Sequence, residues 1–310
     1  MQQYRRELTG YCYRMLGSGS EAEDAVQDTF VRAWKAIDSF EGRSSIRSWL
    51  YRIATNICVD MLRMPQRRAR AMDMGPSVSA QAPLPQTLPD SAWVQPIADA
   101  KVLPENGDPA EIAAQRETVR LAFVAALQHL PARQRAVLIL REVLRWPAAE
   151  VAELLDTSVA SVNSALQRAR ATLATCDLTD LDPTAGDPEQ RALLARYVDA
   201  FERYDISSLV KLLRADVEFS MPPFDMWLQG PDEVAGWLLG QGSGCKGSRL
   251  LPTWANGSPA FGSYHLIRPG LHEPFALQVI EISGGVISGI VNFLDPELFA
   301  VFGLPARIES

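Results

Sequence analysis

The 310-residue sequence is poor in the residues that staple, metallate or anchor a protein. Its 4 cysteines, Cys12, Cys58, Cys176 and Cys245, lie far apart with no Cys-x-x-Cys pair. That excludes a disulfide framework and a thiolate zinc site, and it fits a reducing cytoplasm. The 3 histidines, His129, His265 and His272, stand at no metal-ligand spacing, so neither metal nor cofactor is expected. No stretch reaches the roughly 18 apolar residues of a membrane span, and no membrane partner is expected. The first six residues, Met1 to Arg6, open no apolar run of the kind a secretory signal needs.

Basic charge is also scarce overall. The net charge of −7 argues against a nucleic-acid binder, because such binding leans on counterion release by Lys and Arg. The charge is unevenly spread, however. Residues 1–70 carry +4, 71–110 carry −4, 111–176 carry +2 and 177–310 carry −9. Within the first block, 1–42 carry −2 and 43–70 carry +6. Two mildly basic blocks followed by a strongly acidic one suggest a nucleic-acid partner for one part and another task for the rest.

Length predicts two domains, with room for a third. The span 71–110 holds seven prolines and little periodicity, and reads as a linker with one apolar island at Trp93-Val94-Gln95-Pro96, for which docking onto a domain surface and a chance hydrophobic in a tether are equally weighted readings. A second linker is expected at 177–188. Residues 21–38 predict a helix with Val26, Phe30, Ala33, Trp34 and Ile37 on its apolar face. Residues 46–63 predict another, with Ile46, Leu50, Ile53, Ile57 and Met61 inward and Arg52, Asn56, Val59 and Arg63 outward. Helices are expected at 111–130 and 133–145. Pro147 then starts a short helix, Asp156-Thr157-Ser158 turns the chain, and a helix over about 159–173 buries Val162, Leu166, Ala169 and Leu173. Its outward face carries Ser164, Gln167 and Arg168, flanked by Ser161 and Asn163. This is a helix-turn-helix whose second helix fits a major groove.

The third block changes character. A helix at 189–204 and a short one at 207–213 precede a strand at 217–221 and a helix near 231–240. Strand runs follow at 248–256, 259–268, 275–283 and 286–293, with the hairpin signal Gly284-Gly285 between the last two. Helices followed by antiparallel strands imply a separate α+β domain.

These residues carry a family resemblance. LGSGSEAEDAVQDTFVRAW and SIRSWLYRIATNICVDMLR, within residues 16–63, resemble region 2 of the extracytoplasmic-function (ECF) sigma-70 factors of bacterial RNA polymerase. Residues 130–173 resemble region 4 of the same family. The order of the two and the proline-rich linker between them match as well. The remainder is similar to a SnoaL-like (NTF2-like) cone, as in the mycobacterial factors that carry such a fusion. The implied architecture is two all-α sigma domains and an α+β cone: region 2 at 1–70, linker 71–110, region 4 at 111–176, linker 177–188 and a regulatory domain at 189–305.

The resemblance implies roles. Asp24, Gln27, Asp28 and Arg32 would grip core RNA polymerase. Arg43, Arg52, Asn56 and Arg63 would hold the opened −10 element, with one base flipped into a pocket. Ser161, Asn163, Ser164, Gln167 and Arg168 would read the −35 duplex. The implied protein is a cytoplasmic alternative sigma factor, not an enzyme. Its partners would be core polymerase and promoter DNA, and the acidic domain would contact the sigma domains within the chain. A stand-alone helix-turn-helix regulator with a ligand-sensing or enzymatic domain is the alternative.

For the acidic domain, protein–protein regulation is the leading reading, ahead of ligand sensing and catalysis. The pocket candidates are Phe219, Trp227, Trp237, Trp254 and His265, with Phe224 and Tyr264 as further aromatics. Asp225, Asp232 and His265 are the acid–base candidates. No particular small-molecule ligand is indicated.

Overall fold

The computed structural model describes the chain except residues 41, 43, 64–67, 105, 177–187 and 310. Arg43 and nearly all of the expected 177–188 linker therefore lie outside the described residues. The chain forms two compact units, residues 1–69 with 94–179 and residues 70–93 with 180–310. No helix among the described residues is long and apolar enough to cross a membrane.

The first unit contains α1 (Arg5–Leu16), α2 (Gly19–Lys35), α3 (Ile46–Met61), α4 (Asp99–Val102), α5 (Pro109–Glu117), α6 (Leu121–Leu127), α7 (Ala132–Leu138), α8 (Ala148–Leu154) and α9 (Val159–Leu173). Serines start three of them. Ser18, Ser45 and Ser158 each accept a hydrogen bond from the backbone N–H three residues on, satisfying a donor that the first helical turn leaves open. Helix α1 is the axis of the unit. Leu8 through Leu16 are all buried, because α2, α3, α4, α6 and α7 pack around it.

Burying a whole helix circumference brings Arg14 inside. Its guanidinium donates to Gly10 O at 2.7 Å, to Thr118 O at 3.1 Å and to Thr118 Oγ1 at 2.7 Å. Thr118 Oγ1 in turn donates to Gln115 O at 2.8 Å. Thr118 is thereby drawn out of a continuous helix, and the single helix expected over 111–130 is broken into α5 and α6. The helix expected over 133–145 is also modified. After α7 the chain widens into a π-turn at Ile139–Val143, and Leu144 N–H reaches back to Ile139 O.

The proline-rich span does not behave as a free tether. Its second part docks on the first unit, where Gln95 N–H donates to Gly17 O (2.9 Å) and Gln95 O accepts from Tyr13 Oη (2.8 Å). Val94 N–H donates to Ala69 O at 3.2 Å, so residues 70–93 leave this unit and return to the same point. Those 24 residues fold as part of the second unit.

The second unit contains α10 (Pro188–Glu202), α11 (Ile206–Leu209), β1 (Leu213–Ser220), β2 (Trp227–Gln229), α12 (Pro231–Leu239), β3 (Arg249–Ala255), β4 (Ser258–Arg268), β5 (Leu271–Ser283), β6 (Val286–Phe293), α13 (Leu298–Val301) and β7 (Ile308–Glu309). The sheet order is β2-β1-β6-β5-β4-β3, with β1 parallel to β6, the other pairs antiparallel, and β7 beside β5. Gly284 and Gly285 both take positive φ, at 62° and 75°, as a two-residue hairpin turn requires. The core joins Tyr197, Phe201 and Leu209 from the helices to Phe219, Phe261 and Ile290 from the sheet, with Trp237 from α12. Each such side chain contributes about 1.5–3 kcal/mol on full burial.

The linker lies on this unit as a strap. Trp227 donates its indole N–H to Gly75 O (2.8 Å) and its carbonyl accepts from Val78 N–H (2.9 Å). Glu233 accepts from Ala80 N–H at 2.6 Å, and Gln241 Nε2 donates to Ala80 O and Ala82 O. Leu88 N–H reaches Pro223 O at 2.8 Å. Prolines remove several donors from this segment, and side chains and backbone carbonyls of the domain take up several of the backbone groups that remain.

Candidate nucleic-acid interface

Helix α2 buries Ala22, Ala25, Val26, Thr29 and Ala33. The small residues in that stripe bring α2 close to its neighbours. Asp24, Gln27, Asp28 and Arg32 are all exposed. Trp34, expected in the core stripe, is 74% exposed instead, and Val31 is exposed beside it. One residue past Ala33 is a turn of about 100°, which carries Trp34 off the buried face. Gln2, Arg5, Gln27, Phe30 and Trp34 help to line a shallow groove of about 280 Å³. The Arg5 guanidinium lies 5.2 Å from the Phe30 ring. An exposed tryptophan beside Phe30 and Val31 suits a protein surface rather than phosphates.

Arg52 and Asn56 on α3, and Arg63 in the turn just past its end, are exposed as expected. Their surroundings differ. Arg63 pairs with Asp60 at 3.2 Å. Arg52 Nη2 donates to Glu153 O on α8 at 2.8 Å. One turn before Arg52, Arg47 lies against the same region. It donates from Nε to both Glu7 carboxylate oxygens (3.0 and 3.2 Å), and its guanidinium sits 5.0 Å from the Trp146 ring and 5.5 Å from the Tyr51 ring. Tyr51 and Trp146 meet with ring centroids 4.9 Å apart. The +6 of residues 43–70 overstates the free positive charge. Arg68 is buried against Glu21 at 2.6 Å, and Arg70 is held by Asp73.

The helix-turn-helix forms as α8, a turn and α9. Asp156 makes the turn with φ +49°, a conformation that Asp tolerates better than most residues. Val162, Leu166 and Ala169 are buried, while Ser161, Asn163, Ser164, Gln167 and Arg168 are all exposed on the opposite face. Arg168 Nη1 donates to Ser164 Oγ at 2.6 Å. Short hydroxyls, two amides and a guanidinium form one stripe that can donate to and accept from base edges.

Two buried arginines fasten this helical region to the N-terminal helices. Arg135 on α7 donates to Met15 O, to Gln128 Oε1 (2.6 Å), to Gln128 O (3.2 Å) and to Leu130 O (3.0 Å). Burial pulls Arg135 and Arg14 down to about 10. Both stay protonated at neutral pH, their charge spread over neutral carbonyl acceptors.

In the second unit a small cavity of about 30 Å³ has Phe219 and Trp237 among its lining residues. Trp227, Trp254 and His265, expected with them, do not line it. Trp227 is taken up by the linker strap, and Trp254 is 37% exposed on β3. His265 stacks on Phe275, with centroids 3.5 Å apart, and burial lowers its pKa. Asp225 and Asp232 do not line it either. Sequence reasoning missed the cavity's polar side chains, Tyr197, Gln278 and Asn292. The signal was present, since Gln278 and Asn292 interrupt otherwise apolar strand runs.

Residues 1–68 match the family model of sigma-70 region 2, and residues 120–173 match that of sigma-70 region 4. The chain is 46% identical to the ECF RNA polymerase sigma factor SigG of Mycobacterium tuberculosis (strain H37Rv), a match spanning 97% of this chain and 82% of that protein. It is 26% identical to the ECF RNA polymerase sigma factor SigJ of the same organism, over 98% of this chain and 93% of SigJ. The crystal structure of M. tuberculosis SigJ shares its fold, with a TM-score of 0.64 at 22% identity and 98% of each chain covered.

Proposed function

Because this chain belongs to the extracytoplasmic-function RNA polymerase sigma factors, we propose that its two helical regions divide promoter reading between them and that its third domain governs when they are free to do so. It is an alternative sigma factor. The exposed face of α2, with Asp24, Gln27, Asp28 and Arg32 beside Trp34, docks on core polymerase. Arg52, Asn56 and Arg63 take the melted −10 strand, and the exposed stripe of α9 reads the −35 duplex.

One observation carries the proposal. The contacts from Arg47 and Arg52 to Trp146 and Glu153 hold the −10 reader against the −35 reader. A compact unit of this size has a radius of gyration of about 15 Å. The two promoter elements lie about 80 Å apart along B-DNA at about 3.4 Å per base pair. The closed unit cannot engage both, so binding a whole promoter requires these contacts to break.

Tether length adds a second control. While Val94 stays bonded to Ala69, the connection from region 2 to α5 is residues 94–108, at most about 50 Å when fully extended. Releasing the strap from the third domain adds residues 70–93 and brings the limit to about 130 Å. The third domain thus acts by holding the linker. Its acidic surface also competes with phosphates for the basic faces, an effect that salt screens.

Promoter-specific transcription with core polymerase tests this, comparing the full chain with a chain ending at residue 187. The full chain should recognise promoter DNA only together with core polymerase, and the truncated chain should show altered promoter activity. Equal promoter binding without polymerase contradicts the sigma assignment. Identical activity of the two chains contradicts control by the third domain.

A further inference from the structure

The cavity of the second unit has a polar floor inside an apolar shell. Gln278 on β5 and Asn292 on β6 are register partners, so their amides lie side by side. Both residues are more than nine-tenths buried. Half of each amide is used. Gln278 Oε1 accepts from Tyr197 Oη at 3.0 Å, and Asn292 Nδ2 donates to Ser220 O at 3.2 Å. The other halves, the Gln278 amide nitrogen and the Asn292 amide oxygen, bond to nothing among the described residues. Phe219, Met221, Trp237, Phe275 and Leu294 wall the space, and no carboxylate, guanidinium, ammonium or imidazole group lines it. Buried amide groups without partners are costly, and such sites persist where something else satisfies them.

We propose that this cavity is a sensor site for an uncharged, flat ring compound that carries a carbonyl and an N–H or O–H on one edge, as a lactam does. The carbonyl accepts from Gln278 and the donor meets Asn292, while the ring fills the aromatic shell. An ionised ligand finds no counter-charge here and is rejected.

Size couples the site to the linker. At about 30 Å³ the closed cavity has room for one water, whereas a benzene-sized ring needs on the order of 150 Å³. A ring enters only if a wall moves. Among the walls, α12 carries Trp237 and also meets the strap, with Ala80 bonded to Glu233 on α12 and to Gln241 just past its end. Its Gly236 lies so close to Ala80 that an added Cβ would sit 3.3 Å from the Ala80 methyl carbon. Displacing α12 outward breaks that grip. The empty cavity therefore favours the held linker and the occupied cavity the released one, with the coupling equal in both directions. This step rests on the linker control proposed above.

The test uses the full chain with 2-quinolone as the lactam probe and naphthalene as its isosteric apolar control. Calorimetry should show 2-quinolone binding at least tenfold more tightly than naphthalene. Gln278→Leu should erase that preference, and Ala276→Leu, which fills the cavity, should remove binding of both. Hydrogen exchange at Val78, Ala80 and Leu88 should accelerate when 2-quinolone is bound. Absence of binding, equal binding of the two probes, or binding that survives Ala276→Leu overturns the site. Binding with unchanged exchange in the strap overturns the coupling. None of these outcomes alters the core-dependent transcription that tests the preceding reading.

Discussion

The guanidinium of Arg52 donates to the carbonyl of Glu153, 101 residues away in sequence, and joins the exposed face of α3 to the first helix of the helix-turn-helix. A side chain suited to single-stranded DNA is thus committed to an internal contact. Trp146 completes the joint, buried between Arg47 and Tyr51.

Removing that ring should loosen the closed arrangement. Trp146→Ala deletes a buried aromatic and should cost about 3–5 kcal/mol of the packing between the helical regions. Limited proteolysis of the free protein should then cut the segment 94–108 faster than in wild type. The exposed stripe of α9 is untouched by this change, so −35 duplex recognition in the presence of core polymerase should persist.

Arg135 holds the two helical regions by another route. Arg135→Met leaves Met15 O, Gln128 O, Gln128 Oε1 and Leu130 O without their donor. The expected loss is about 3 kcal/mol, seen as a fall in Tm of about 10 °C. Arg135→Lys should rescue little of it, because a single ammonium cannot match a planar fork that serves four acceptors.

The three exposed faces should separate in binding experiments. Arg168→Ala should weaken recognition of the −35 duplex by about 1–3 kcal/mol and relax its sequence preference. Trp34→Ala should weaken association with core polymerase and leave that preference unchanged. Fluorescence anisotropy with labelled promoter and with core polymerase distinguishes the two.

Much of this was legible from residue spacing. The inward and outward faces of α9 follow from its helical period, and the hairpin at Gly284-Gly285 follows from turn chemistry. Hydrophobicity alone assigns Trp34 to the core, whereas the structure leaves it exposed. The course of the linker escapes residue spacing for a related reason. Proline content marks a lack of regular structure, but it cannot reveal that Trp227, Glu233 and Gln241, more than 140 residues on, supply the missing hydrogen bonds. The pairing of Arg68 with Glu21 is likewise non-local and escapes any count of charges.

The strap begins in a carboxylate socket that titrates. Glu218 on β1 and Glu281 on β5 both pair in register with Gly289 on β6, and both attract Arg70. A Cβ on Gly289 would fall 2.7 Å from Glu281 Oε2, so Gly289→Ala should displace that carboxylate and weaken the hold on Arg70. Burial raises the pKa of Glu218 above that of an ordinary glutamate. The folded domain therefore binds this proton more tightly than the unfolded chain, and the charged form costs stability at neutral pH. That cost falls away as pH drops through the raised value. Glu218→Gln should raise Tm near neutral pH and change it little at about pH 4, where the wild-type carboxyl is protonated. Thermal melts at the two pH values check this.

The separation of the two DNA readers tests the central claim most directly. Labels at the exposed positions 61 and 175, at the end of α3 and just past α9 and outside the assigned DNA contacts, report it by pulsed electron–electron distance measurement. The free protein should give a single short distance, within the few tens of Å of a compact unit. The complex with core polymerase and promoter should give a separation of about 80 Å. The same short distance in both states would contradict the claim that this sigma factor must open to read its promoter.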